Sequence, residues 1–421
     1  MKNRTINLIY VPLLLMFVSL LSSVLKNDHG GEIVTLSLAN LFRIISVIGA
    51  GCVAAAYIIV GNRLLSMFKA PFVFFLLYAI IAIVSAGYAS HGFYALWKSL
   101  EIFIGVLSVA TVLTHKGGKE ALMGAYRVTK KFFIFLLLSV VAGAFLFPDQ
   151  AFTSARGILS IQLKGVMVPL NPNTLAFVSA FCGLFSFVKI VNGRIEKARV
   201  FHYVLFVASL ATLILAQSRT SLIAFVVAVL CFLFFCRRYK LLITVMIMAI
   251  VLLSLQTLRE GTFGYVRRGQ NAELAMSLSG RTIAWEMAYK QFLKSPYMGS
   301  GFASAGRFDV LRGGAMSSLH GSIFDVLVGV GLFGAIPWIM GVFWTSIRLV
   351  WPKGRMSMRT RSPIEIIFRA ELIAVAALIL IRSITSSDLA LHGATLLLFL
   401  LLVAFASEPE KTVNNSTPGE V

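Results

Sequence analysis

Charge is what this 421-residue chain has least of. Asp, Glu, Lys and Arg make up 13% of it and hydrophobic residues 58%, where soluble domains carry roughly 25% charged residues. No soluble fold of this length hides so much apolar surface behind so few charges, so a soluble globular enzyme is excluded. Acids are the scarcer sign, 17 against 38 Lys and Arg. They form no cluster suited to a hard cation on the face where the chemistry is expected below, so metal-independent chemistry is predicted. Cysteine is limited to Cys52, Cys182, Cys231 and Cys236, all in or beside apolar runs and without metal-ligand spacing. They read as small core fillers. The basic residues are dispersed, with no aromatic-interleaved patch, which excludes a nucleic-acid-binding module. The halves of the chain show no internal repeat of the kind transporters carry, and the Phe and Leu runs read as packing or lipid-facing residues, so no cofactor is expected.

What is present is a series of long apolar segments. A spanning helix needs about 20 mostly apolar residues. Twelve such segments are expected: 7–25, 39–60, 70–88, 95–114, 131–148, 170–190, 200–217, 220–236, 240–257, 320–347, 367–386 and 390–407. The first is preceded by Lys2 and Arg4 but followed by no small-residue cleavage pattern, so it reads as a span rather than a signal peptide. Arg43 lies inside the second and is expected to snorkel. The predicted fold class is all-α, a polytopic membrane bundle of about 12 transmembrane helices. Spans 1–9 fill 1–257, a long extracytoplasmic loop fills 258–319, spans 10–12 fill 320–407, and 408–421 form a polar, disordered tail.

Orientation follows from Lys and Arg in the short loops. With the N-terminus inside, the inner segments hold 23 of the 38. Both termini are therefore expected in the cytoplasm of a bacterial inner membrane, with the basic loops against anionic lipid headgroups. The long loop breaks the trend. Its eight basic residues (Arg259, Arg267, Arg268, Arg281, Lys290, Lys294, Arg307, Arg312) face four acids. An excess of cations outside calls for a local reason, and an anionic ligand is the simplest.

Three residues stand out on that face. Ser279-Gly280-Arg281 opens a helical pattern in which Ile283 and Met287, and Ala284 and Ala288, recur; Pro296 and the glycines of YMGSGF close it. A guanidinium in the first turn of a helix is a ready anion site, although a surface helix with its arginine on a headgroup has the same local sequence. Arg219 sits in the tight AQSRTSL connection between spans 7 and 8. There it is either an interface anchor or a second clamp on a diphosphate. His320 opens span 10, as a helix-start residue or as a general base of near-neutral pKa. Gly329, Gly331 and Gly334 thin the same helix, which favours close helix packing. Weaker candidates for glycan or phosphate contact are Arg156, Lys164, Asn173, Arg307, Arg312 and Arg382. Lys98 is expected to pair with Glu101, and Arg382, Asp388 and His392 to cluster at the last outer turn.

His320, ten residues, then Gly331-x-x-Gly334 resembles the signature of the O-antigen ligase and polymerase family, bacterial membrane glycosyltransferases. The SRT of 218–220, SGR with Trp285 downstream, the P-x-x-G-x-G of Pro296, Gly299 and Gly301, and NPNT with Asn173 follow the family's order. The resemblance covers about 150–350. One departure is Gly321, where the family usually has Asn, Ser or Gln. The resemblance implies a polyprenyl-diphosphate-linked glycan donor held by Arg219 and Arg281, with His320 as catalytic base on an acceptor hydroxyl. It implies inversion at the anomeric carbon, on the periplasmic face. The acceptor would be lipid A–core for a ligase, as in lipopolysaccharide biosynthesis, or a lipid-linked glycan for a polysaccharide polymerase. A flippase or transporter of the same lipid is the more distant alternative.

Overall fold

The computed structural model describes residues 8–21, 38–155, 159–193, 199–254, 281–312, 319–351 and 362–408. Arg156, the stretch 255–280 with Arg259, Arg267, Arg268 and Ser279, and the tail beyond 408 lie outside them. Helices α1 (Val11–Leu20), α2 (Leu38–Val60), α3 (Phe72–Ser85), α4 (Gly92–Leu113) and α5 (Lys119–Leu146) precede a small hairpin of β1 (Phe152–Ser154) and β2 (Ile161–Leu163). Then come α6 (Pro172–Asn192), α7 (Arg199–Leu215), α8 (Arg219–Phe235), α9 (Tyr239–Ser254), α10 (Arg281–Lys294), α11 (Ser322–Val350), α12 (Pro363–Ser383) and α13 (Ala394–Ser407). A helix therefore occupies each expected apolar segment. Five of them, α2, α4, α5, α6 and α11, are long and apolar enough to cross a bilayer. This is a helical membrane protein.

Local sequence sets the helix ends. Asn171 caps α6, its Oδ1 accepting from Thr174 N at 2.8 Å with Pro172 at the first position, and Gly193 ends that helix in the left-handed region. Ser362 and Pro363 open α12 in the same way. α13 is apolar all round and buried along almost its whole length, so it is the hub. α2 and α7 turn isoleucine and valine outward, Ile45, Ile59, Val204 and Val207 among them. Such faces suit hydrocarbon rather than water.

Contacts sort the helix ends into two groups. At one end Tyr10 Oη donates to Ala121 O at 3.3 Å, Phe72 N to Ser407 Oγ at 3.1 Å and Arg369 Nε to Leu349 O at 2.7 Å. At the other, Phe302 N donates to Ser85 Oγ at 2.9 Å and Arg382 Nη1 to Asn173 O at 2.7 Å. The helices of the apolar segments, α1–α9 and α11–α13, alternate in direction between these ends, and the short α10 stands outside that series. The second end carries the functional candidates.

Two intramembrane polar contacts refine the sequence reading. Lys98 does pair with Glu101, at 3.1 Å, but Arg43 joins them at 2.6 Å instead of snorkelling. Glu101 is fully buried, and a buried carboxylate without cations is strongly unfavourable. His392 lies 3.5 Å from Ser19 Oγ, on the α1 side, while Arg382 and Asp388 pair without it.

The largest departure is in α11, which is two helices joined at Gly331, where φ is 58° and ψ −161°. Gly329 and Gly331 do not thin a helix for another helix but admit a loop, whereas Gly334 does lie against Ile81 of α3. Ser300 N donates to Val328 O at 2.8 Å and Gly301 N to Gly329 O at 2.9 Å. In return Leu332 N donates to Pro296 O at 2.9 Å and Phe333 N to Tyr297 O at 3.0 Å. The P-x-x-G-x-G loop thus satisfies the backbone groups that the break frees, as polar backbone at membrane depth requires. Beyond the break, the first half of α11 brings Ser322 Oγ to within 3.1 Å of Leu389 N. The neighbouring Ala390 O accepts from Tyr78 Oη at 3.1 Å. Tyr78 lies about 10 Å along α3 from Ser85. The start of α11 is therefore recessed relative to the end of α3.

Candidate functional site

The site is built where the starts of α6, α8, α10 and α11 meet the end of α12. α8 packs along α12 in the opposite direction, so Arg219 at the start of one lies beside the last turn of the other. Arg382 in that turn is the brace. Its Nε donates to Asp388 Oδ2 at 2.6 Å, its Nη1 to Asn173 O at 2.7 Å and to Ser221 Oγ at 3.2 Å, and its guanidinium lies 5.0 Å from the Phe177 ring. Ser386 Oγ donates to the same Asp388 oxygen at 2.6 Å. One arginine thereby fixes three helix ends and a turn. It is 4% exposed, which makes it a support for the site rather than the direct glycan or phosphate contact the sequence suggested.

His320 occupies a turn held from both sides. Trp285 Nε1 on α10 donates to Leu319 O at 3.0 Å, and the indole stacks on Phe324 with centroids 5.1 Å apart. On the other side Ser322 Oγ donates to Ser386 O at 2.8 Å. Asp325 accepts from Leu319 N at 3.4 Å through Oδ1 and from Ser387 Oγ through Oδ2. Within this turn His320 has φ 54°, a left-handed conformation uncommon for residues with a side chain, though less so for His. The same packing accounts for Gly321. A Cβ there would stand 3.0 Å from Phe324 Cδ2 and 3.1 Å from Trp285 Nε1, so the space a polar side chain would need is taken by the indole that holds the histidine turn.

The electrostatics join the three leading candidates. Burial, and then the guanidinium groups of Arg382 and Arg219, hold Arg281 below the ordinary arginine pKa. Burial, followed by the charge of Arg281, also holds His320 below the usual imidazole value, while Asp388 pulls it the other way. Arg219, Arg281 and His320 are each only partly exposed. Several helix starts point at the same place and add partial positive charge. A group of cations next to an imidazole whose protonated form is disfavoured can hold an anionic group and accept a proton beside it.

The other candidates fall elsewhere. Asn173 contributes its main-chain carbonyl to Arg382, and the capping side chain is that of Asn171. Lys164 stands at the foot of the β hairpin, where its N–H donates to Ala151 O at 2.9 Å. Arg307 belongs to a π-helical turn, Ala305–Val310, and lies over the Tyr94 and Phe308 rings with its Nη1 3.3 Å from Tyr94 Oη. Arg312 is exposed. Sequence reasoning missed Asp325 and Ser221. An acid five residues after His320 in an otherwise apolar run was the available signal for the first. Nothing local distinguishes Ser221, whose partner is 161 positions away.

Fold and site together define a membrane protein with a cationic, histidine-bearing site at one end of its helix bundle. The family model of the O-antigen ligase matches residues 204–339. That stretch includes Arg219, Arg281, His320 and both glycine motifs, and over it the chain is similar to the O-antigen ligase family, whose members are glycosyltransferase-like membrane enzymes acting on lipid-linked glycans. No curated protein matches the chain.

Proposed function

We propose that this protein transfers a polyprenyl-diphosphate-linked glycan to a hydroxyl acceptor, lipid A–core, as a ligase of twelve spans whose site end faces the periplasm. The observation that carries the reading is the meeting of Arg281 with His320, Arg219 and the buried Arg382–Asp388 pair at one end of the bundle, where Arg382 binds Ser221 two residues after Arg219 and Arg281 lies within the charge of both. Arg382 is already paired with Asp388; the like charges of Arg219 and Arg281 repel, and a diphosphate would relieve that repulsion, since arginine forks match its oxygens. Arg219 and Arg281 hold the donor's diphosphate. The acceptor oxygen bonds to the anomeric carbon as the bond from that carbon to the diphosphate oxygen breaks. The electron pair leaves with the phosphate, and the acceptor's proton passes to His320. Fixed cations stabilise the departing charge, and a single displacement inverts the anomeric centre.

Deletion of the gene, followed by gel analysis of surface glycan, tests the reaction. The expected result is finished polymer stranded on its carrier. Single unextended repeats would assign the polymerase reaction instead, and unchanged surface glycan would remove both.

The protonation state of His320 gives a second test. A base works when neutral, so activity falls as pH drops through its pKa. An ordinary imidazole titrates near about 6.5; burial and Arg281 place His320 lower. The acid limb of the rate–pH profile is therefore expected below 6.5. Removing a repelling cation favours the protonated form, so Arg281→Ala moves the limb up in whatever activity remains. Asp388→Asn removes an attracting charge and moves it down. Shifts of the opposite sign would separate His320 from the titration.

A further inference from the structure

We propose that Gln217, with Gln162, is a positioning residue that holds Arg219 in place through the β hairpin. The inference rests on the reading of Arg219 as a diphosphate ligand.

Arg219 starts α8 directly after a three-residue turn, 216–218, and it shares its surroundings with Arg281 and Arg382. Arg382 is paired with Asp388, but before any anion binds the like charges of Arg219 and Arg281 push those two side chains apart. A short turn at a bundle end does not resist that push unless something outside it does. Gln217 is 3% exposed, and its φ is 54°. Its Nε2 donates to Leu159 O at 3.0 Å and to Ile161 O at 2.8 Å, on either side of the start of β2. The hairpin answers in kind: Gln162 Nε2 donates to Ala216 O at 3.0 Å. Both hydrogens of one amide are used, and a second amide returns a bond one residue away.

The chemistry of the clamp is specific. Two carbonyls face the end of the Gln217 side chain, so the group there must donate twice; a carboxylate would meet them oxygen to oxygen. The hairpin is itself closed by strand pairing from Phe152–Leu163 to Ser154–Ile161. Its foot is fixed by the bond from Lys164 N to Ala151 O. The far side of the turn is fixed through Ser221, which accepts from Ser218 Oγ at 3.0 Å and from Arg382. Arg219 thus projects from a turn pinned on two sides, one of them wholly by glutamine amides. Charge held ready before the ligand arrives binds it without reorganisation.

The test uses the full-length protein in nanodiscs and polyprenyl diphosphate, without sugar, as probe. Gln217→Gly keeps the backbone conformation and removes the clamp; Gln162→Leu removes only the returning bond. Each is expected to weaken probe binding, Gln217→Gly by about tenfold, in line with the loss of a net hydrogen bond or two. In an Arg219→Ala background the same changes are expected to add nothing, because the residue they position is gone. Weakening of equal size in both backgrounds would overturn the proposal, since the glutamines would then act on the site at large. Normal binding by Gln217→Gly and Gln162→Leu, with binding lost in Arg219→Ala, would overturn it and leave the diphosphate reading standing. Normal binding by Arg219→Ala would overturn that reading itself.

Discussion

Replacing His320 with glycine is expected to lower glycan transfer by about 10²–10⁴-fold, the usual range for loss of a positioned general base, while leaving the protein as stable as before or slightly more so. Glycine is the informative choice because His320 has φ 54°. A residue without Cβ occupies that region freely, so the turn between Leu319 and Ser322 keeps its shape and only the imidazole is removed. The turn's own supports, Trp285 Nε1 on Leu319 O and the Ser322 hydroxyl on Ser386 O, do not involve the histidine side chain. Transfer assayed in reconstituted membranes, together with thermal unfolding in detergent, separates the two effects. Unchanged transfer by His320→Gly would end the case for a catalytic imidazole.

The second large effect is expected at Gly331, and it is one of folding rather than chemistry. An alanine Cβ there would lie 2.4 Å from Tyr297 O and 2.5 Å from Gly299 N, both backbone atoms that cannot swing aside. The φ of 58° adds strain of its own. Gly299→Ala meets the same wall from the other side, 2.6 Å from Gly329 O and Gly331 N. Each substitution is expected to cost more than about 4 kcal/mol, the range reserved for breaking a packed feature, and to leave little folded protein in the membrane. Gly193→Ala is the control. It has φ 61° but nothing within 4 Å of the added methyl, so it bears only the left-handed strain, about 1–2 kcal/mol. Accumulation measured by in-gel fluorescence of tagged chains should fall for the first two and hold for the third. Equal accumulation of all three would mean the loop does not need the break.

Much of this was legible in the chain. A run of apolar residues long enough for a membrane forms a helix almost by necessity, because no other local structure satisfies its backbone there. That is why each apolar segment could be placed. Arg219, Arg281 and His320 were legible as a group because helices of alternating direction put every second connection at one end. The break in α11 was not. GVGLFG reads as continuous apolar sequence, and hydropathy carries no information about φ and ψ. The role of Arg382 was half legible: its place at the last turn was evident, but Asn173 O and Ser221 are distant partners that only packing reveals. Burial then decided its part, since Nε and Nη1 are taken by Asp388, Asn173 and Ser221 and the residue is 4% exposed. The glutamine clamp was invisible for the same reason, with 54 to 58 positions between its ends.

The interlocked backbones of 296–301 and 328–333 have a bearing on protein engineering. Chimeras are commonly made by exchanging an external segment at the point where hydropathy says the bilayer begins, which here would cut just before Ser322. Such a junction would part four main-chain hydrogen bonds between halves drawn from different parents. A transplant that changes which glycan is handled should instead carry everything from Arg281 through Gly334 as a single piece, with the splice made in the intact helix that follows.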